Sequence, residues 1–333
     1  MSGEYRLFGV ESSPYTVKVR AVLRYRGIPY RWICRFPQML DETKHVRPAV
    51  MPVVREPDGR YRSDSTPIIL DLERDRVDGP SVLPKHRGHA FLARLIEDMA
   101  DEWVTKCLFH YRFTGETDGW FAARWVISDA RSDLDRESLP EAVRQFRERQ
   151  ISRMPRVGCT PENAPLIEES YLRLLSIMES FVGNERFLFG SRPSLADFGL
   201  YAQLKTLATD PTALSLMRAH APFTEHWVRR LDDASGVEGR WSSDPDPAVG
   251  ALLQMAGDTY LPFLAANALA LERGDEAVQV EILGHGYRQP PFGYQAKCLA
   301  WLREAYRELS PADIAAIRPQ LEASGCARYF PEA

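Results

Sequence analysis

The sequence predicts a small mixed α/β domain followed by a larger all-helical region. Up to about residue 80, short apolar runs of strand character alternate with amphipathic stretches in the order β-α-β-α-β-β-α. Beyond that point apolar residues keep helical spacing, as in Phe91, Leu92, Leu95, Ile96, Met99, Trp103 and Val104, and no strand-like run returns until near Val278. A chain of 333 residues also exceeds one ordinary domain.

Tyr5 to Val10 is the first β-type run. Ser12-Ser13-Pro14 then starts a helix, because serine accepts from first-turn amides and proline fits where an amide needs no partner. Val19, Val22 and Leu23 repeat at helical spacing, and Gly27 stands where a C-terminal cap is expected. Pro29 to Cys34 reads as a second strand and Gln38 to Arg47 as a polar, irregular helix. Two short strands flank Pro57-Asp58-Gly59, which is hairpin turn chemistry. Ser65 opens a helix whose apolar face is Ile68, Ile69 and Leu72.

This order is that of a thioredoxin-like domain. The expected organisation is a thioredoxin-like domain over 1–79, an all-helical domain over 88–241, and a C-terminal extension over 242–333 that starts at a proline-rich junction. The extension is expected to hold two helices around one hairpin, with its turn at Leu283-Gly284-His285-Gly286.

Composition narrows the function classes. The formal net charge is −4, so no global positive field exists to hold a phosphate backbone or an anionic membrane, and nucleic acid is not an expected partner. Five cysteines, odd in number and free of CxxC pairing, fit neither a disulfide framework nor a zinc site. The N-terminal stretch lacks the basic start and apolar run of a signal peptide, and no segment is apolar enough to span a membrane, so a cytoplasmic protein is expected.

Several short motifs can be read for their chemistry. Asp64-Ser65 at a helix start offers free amides and a hydroxyl for a carboxylate, with an aspartate for a neighbouring ammonium group; plain capping would use the same residues. Ser194-Leu195-Ala196-Asp197 has the spacing of a capping box. The aromatic stretch from Trp103 through Tyr111 and Phe113 offers residues for an apolar pocket, or for the core. Glu97, Asp98, Asp101 and Glu102 do not read as metal ligands, because the one nearby histidine, His110, is more than two turns away.

Taken together, Ser13-Pro14-Tyr15, Met51-Pro52-Val53, Asp64-Ser65 and Ser194-Leu195-Ala196-Asp197 resemble the glutathione transferase superfamily, and the first of these looks like the serine-type turn of its tau class. The resemblance covers the chain to about residue 240. It implies glutathione as cosubstrate, no metal, and conjugation to an apolar electrophile of the kind handled in detoxification. A non-catalytic binding or assembly module, or a glutathione-dependent peroxidase or dehalogenase, is the alternative. By the same resemblance Ser13, or Ser12 beside it, supports the glutathione thiolate; Pro52 is cis and turns the Met51 backbone toward the tripeptide beside Val53; Asp64 and Ser65 hold the γ-glutamyl end; Lys44 reaches the glycyl carboxylate; and Tyr15, Trp103, Tyr111 and Phe113 line the acceptor pocket. A homodimer is expected, and residues after about 247 are expected to cover the cleft.

A thiol with a pKa of about 8.5 is only ~3% thiolate at pH 7. Lowering that pKa by about two units takes roughly 2.7 kcal/mol and makes about three quarters of it thiolate. One serine hydrogen bond together with the positive end of a helix can supply this.

Overall fold

A computed structural model describes residues 4–34, 36–182 and 187–331. The first domain is built on a four-stranded sheet of β1 (Tyr5–Phe8), β2 (Tyr30–Ile33), β3 (Val53–Arg55) and β4 (Tyr61–Ser63), in the spatial order β2-β1-β3-β4. β1 and β2 are parallel because α1 (Pro14–Tyr25) carries the chain across between them; β3 and β4 are antiparallel, joined through Gly59 at φ +92°. α2 (Gln38–Thr43) precedes β3, and α3 (Ser65–Asp75) follows β4.

Alternation along the strands divides the buried residues between two faces. Leu7 and Val54, paired across the sheet, join Val19, Val22 and Ile68 of α1 and α3 in the main core. Phe8, Val53 and Ile33 point the other way, onto Met39, Val46 and Ala130. This small second core anchors the loops that approach the cleft described below.

The helical region starts with α4 (Arg87–Met99), which runs through one π-helical turn, Ala100–Val104, directly into α5 (Thr105–Phe113). α6 (Glu116–Ala130), α7 (Leu139–Ile151), α8 (Ala164–Phe181), α9 (Leu195–Leu207), α10 (Pro211–His220) and α11 (Pro222–Leu231) follow. α9 is buried almost throughout and packs against α1, α4 and α5. Its start is fixed by the Ser194/Asp197 capping box, in which Asp197 also accepts from the Leu188 amide at 3.1 Å.

The extension holds more than the two helices expected. α12 (Pro247–Met255) leads through a second π-turn, Ala256–Tyr260, into α13 (Leu261–Arg273); β5 (Val278–Ile282) and β6 (His285–Gln289) form the hairpin; α14 (Gly293–Arg307) and α15 (Pro311–Ala323) complete it. The hairpin turn is tighter than expected. Leu283 and Gly284, both at positive φ, make it alone, and His285 and Gly286 belong to β6. Tyr260, Phe263, Tyr287, Leu299 and Leu302 of this segment share the main core with α4 and α5.

Candidate active site

A cleft of about 680 Å³ opens between the first domain and helices α5, α6 and α7. On one side it is lined by Ser12, Ser13, Pro14, Tyr15, Phe36, Val50 and Met51; on the other by Leu108, Phe109, Phe113, Val126, Ile127 and Phe146. A space of this size with mostly apolar walls suits a small organic molecule.

Ser13 is the N-cap of α1, and its hydroxyl accepts from the Thr16 amide at 3.3 Å. Capping and a chemical role are compatible here, since a hydroxyl that accepts one hydrogen bond still has its own proton to donate. The positive end of α1 adds to the favourable field at the same point. Arg112, buried in α5, holds the preceding residue in place. It donates to the Ser12 carbonyl at 3.1 Å, to the Thr206 carbonyl at 3.3 Å and to Asp210 at 2.8 Å, and it lies over the Trp125 ring. Burial pushes the Asp210 carboxyl up to about 6 although Arg112 works against this. Nothing in the local sequence marks Arg112 as the support of a turn a hundred residues earlier.

The Met51–Pro52 peptide is cis, and Met51, at 40% exposure, stands at the cleft beside Val50. Val53 is buried in the small core behind it. Lys44 is exposed and caps the end of α2 away from the cleft lining, while Arg47 turns back to donate to the Lys44 and Val46 carbonyls.

Several expected residues stand away from the cleft lining. Trp103 and Tyr111 do not line the cleft. Trp103 is 1% exposed among Phe263 and Tyr287 and donates to Ser170, and Tyr111 packs on Tyr171. Their positions on the α4–α5 rod face the core side, whereas Phe113 faces the cleft. Asp64 and Ser65 also lie off the cleft lining. Tyr294 of α14 donates to the Asp64 carboxylate at 2.6 Å, and the Ser65 hydroxyl, 2% exposed, stands 3.5 Å from Asp101. Among the described residues none beyond Arg153 lines the cleft, so the extension does not cover it; Tyr260, Phe263 and Tyr287 of its aromatic face join the main core, while Phe292 and Trp301 stay exposed.

Asp64 borders a buried polar cluster on the far side of α4. Lys18 of α1, fully buried, makes ion pairs with Glu97 at 2.5 Å and with Asp101, and donates to Thr66 at 3.2 Å. Asp98 accepts from Tyr260 at 2.6 Å, and Glu102 from Gln295 at 3.1 Å. Burial raises all three neighbouring acids: Asp98 and Asp101 to about 7 and Glu102 to about 8. Among the described residues no group of three or more histidine, cysteine or acidic side chains is placed to hold a metal ion.

The comparison with known families decides what the first domain is. Residues 7–80 match the family model described as the glutathione S-transferase N-terminal domain. This segment belongs to the glutathione transferase superfamily. In the glutathione transferase arrangement a thioredoxin-like domain precedes a largely helical region, which is the architecture seen here. Solved structures similar to the chain include a glutathione transferase from Phanerochaete chrysosporium, at 18% identity and a TM-score of 0.49 over 72% of this chain and 100% of that one. A β-etherase from Sphingobium sp. matches at 16% identity and a TM-score of 0.47, over 76% and 99% of the two chains. A tau class glutathione S-transferase from mango, Mangifera indica, matches at 18% identity and a TM-score of 0.42, over 76% and 93%. No curated protein sequence matches the chain. No helix among the described residues is long and apolar enough to cross a membrane.

Proposed function

We propose that the protein is a glutathione transferase that joins glutathione to an apolar electrophile, working as a homodimer. The reading is carried by one observation: Ser13, at the positive end of α1, lines the same cleft as Met51 and the apolar walls of α5, α6 and α7. In this reading the glutathione backbone pairs with Met51, and its sulfur lies near the Ser13 hydroxyl. Serine donates to the sulfur, α1 favours its negative charge, and the thiolate attacks an electrophile held against Leu108, Phe113 and Phe146. Arg112 acts as a positioning residue, by fixing the Ser12 carbonyl and with it the turn. Asp64 and Ser65 remain the candidates for the γ-glutamyl end, which requires Tyr294 to give up Asp64.

The test is titration of the thiolate absorbance of bound glutathione in the wild type, Ser12→Ala and Ser13→Ala proteins, together with turnover of a panel of electrophiles. Ser13→Ala is expected to keep glutathione binding but to lose about tenfold in conjugation rate near neutral pH, about 1.4 kcal/mol. The deficit should shrink as pH rises and solvent ionises the thiol unaided. A raised midpoint in Ser12→Ala alone moves the role to Ser12. An unshifted thiol in the wild type rejects conjugation by this site in favour of a binding module.

A further inference from the structure

We infer that the acceptor taken by this cleft is an anionic amphiphile: an apolar body carrying a carboxylate or sulfonate at one end. The inference rests on the transferase reading for its catalytic part, but the binding part stands on the cleft alone. Although acids outnumber bases in the sequence, the cleft lining among the described residues contains four arginines, Arg112, Arg131, Arg149 and Arg153, and no aspartate or glutamate.

The four are not equivalent. Arg112 is neutralised by buried Asp210, and Arg131 is held by Asp133 through two contacts of 2.9 Å. Arg149 and Arg153 are exposed and have no carboxylate partner among the described residues. They are four residues apart, at the end of α7 and just beyond it, on the surface that also gives the cleft Phe146 and Gln150. The result is an apolar wall continued by two guanidinium groups and an amide. Guanidinium presents its donors in a planar fork that fits a carboxylate, and beside an apolar wall it is less screened than in open water. A neutral apolar ligand would leave these two cations unused; an anionic one pairs with them while its body replaces water against Leu108, Phe109 and Phe113.

The chemistry balances for an activated aryl chloride that carries a carboxylate. The glutathione thiolate attacks the carbon bearing chlorine, a C–S bond forms, the C–Cl bond breaks, and chloride leaves with the bonding pair. The thiol proton is released to solvent, and no oxidant or reductant is needed.

Binding is tested first, with 8-anilinonaphthalene-1-sulfonate against neutral N-phenyl-1-naphthylamine, which has the same ring system without the sulfonate. The sulfonate is expected to bind at least tenfold more tightly to the wild type, and added salt should narrow the gap. In the Arg149→Gln/Arg153→Gln protein, sulfonate affinity should fall about tenfold while that of the neutral dye changes less than twofold. The Arg149→Glu/Arg153→Glu protein should reverse the preference. Equal losses for both dyes, or no change for either, overturns the inference. So does a parallel loss of glutathione affinity, which would assign the arginines to the cosubstrate. The catalytic arm compares 4-chloro-3-nitrobenzoate with its methyl ester: kcat/KM should favour the acid in the wild type and lose that preference in the double variant. Turnover of neither compound, with the dye result intact, counts against the transferase reading and leaves the anionic site standing.

Discussion

Residues 97–102 and 105–113 lie on one continuous helical rod interrupted only by a π-turn, yet the two segments face opposite electrostatic worlds. The former packs Glu97, Asp98, Asp101 and Glu102 into the protein, with Lys18 as the cation that ion-pairs two of them. The latter borders a cleft whose charged groups, among the described residues, are all arginines. Closure accounts for the contrast. The acids are enclosed by α1, α3, the α12–α13 turn and α14, so each must be matched by an internal donor or held near a raised pKa. Arg149 and Arg153 of the cleft are exposed to solvent and need no such internal partner. A rod of this kind separates a region that sets stability from one that sets selectivity.

The sharpest way to break this contrast is Lys18→Met. It leaves Glu97 and Asp101 buried without their cation, and a loss of about 3–5 kcal/mol in unfolding free energy is expected from urea denaturation. Dye binding at the cleft should be unchanged wherever the variant is folded. A smaller loss than that of an exposed control would show that the acids are already neutral.

A further effect is in pH. Glu102 is raised by burial first and by Asp98 and Asp101 next, to about 8, so between pH ~4 and ~8 the folded state holds a proton that the unfolded state has released. Stability contributed by the protonated acid is therefore complete below pH ~4 and is lost as pH rises through the folded value. Asp98 and Asp101 act with the same sign. Lys106, lowered to about 8 by burial among Trp103, Phe263 and Tyr287, acts oppositely above that pH. Glu102→Gln should flatten the decline between pH 5 and 8 and gain roughly 1–3 kcal/mol at pH 8, read from urea midpoints. A slope identical to that of the wild type would contradict it.

The smallest effect concerns the seam between the two regions. Tyr294→Phe removes the donor to Asp64, and glutathione should then bind about threefold more tightly by calorimetry, about 0.6 kcal/mol. Weaker binding would mean that Tyr294 helps to hold the cosubstrate rather than competing with it.

The first domain was legible because its turns carry their own chemistry. Ser13-Pro14 and Pro57-Asp58-Gly59 are local signals, as is the Ser194/Asp197 box of the helical region, and local signals survive without knowledge of packing. The cleft was only half legible. Periodicity identifies Trp103, Tyr111 and Phe113 as apolar positions on a helix, but which of them faces a void depends on α6, α7 and the hairpin, which arrive later in the chain. Arg112 reaching Ser12 and Tyr294 reaching Asp64 span 100 and 230 residues, and no spacing rule connects such pairs. Arg149 and Arg153 did have a signal, their common face with Phe146 and Gln150, but that pattern is shared by any solvated helix.

Phe330 is 3% exposed, with its ring against Phe91 of α4 at 5.2 Å and against Tyr306 at 5.4 Å. On the ribosome, α4 emerges some 240 residues before this partner, and at about 5–20 residues per second the interval is roughly 10–50 s. Throughout that time the Phe91 end of the central rod lacks this part of its cover, while β1 and its neighbours are already complete. Nascent chains stalled before and after Phe330 emerges should therefore differ in protease resistance at α4 and agree at β1. Equal resistance at α4 would show that earlier contacts suffice.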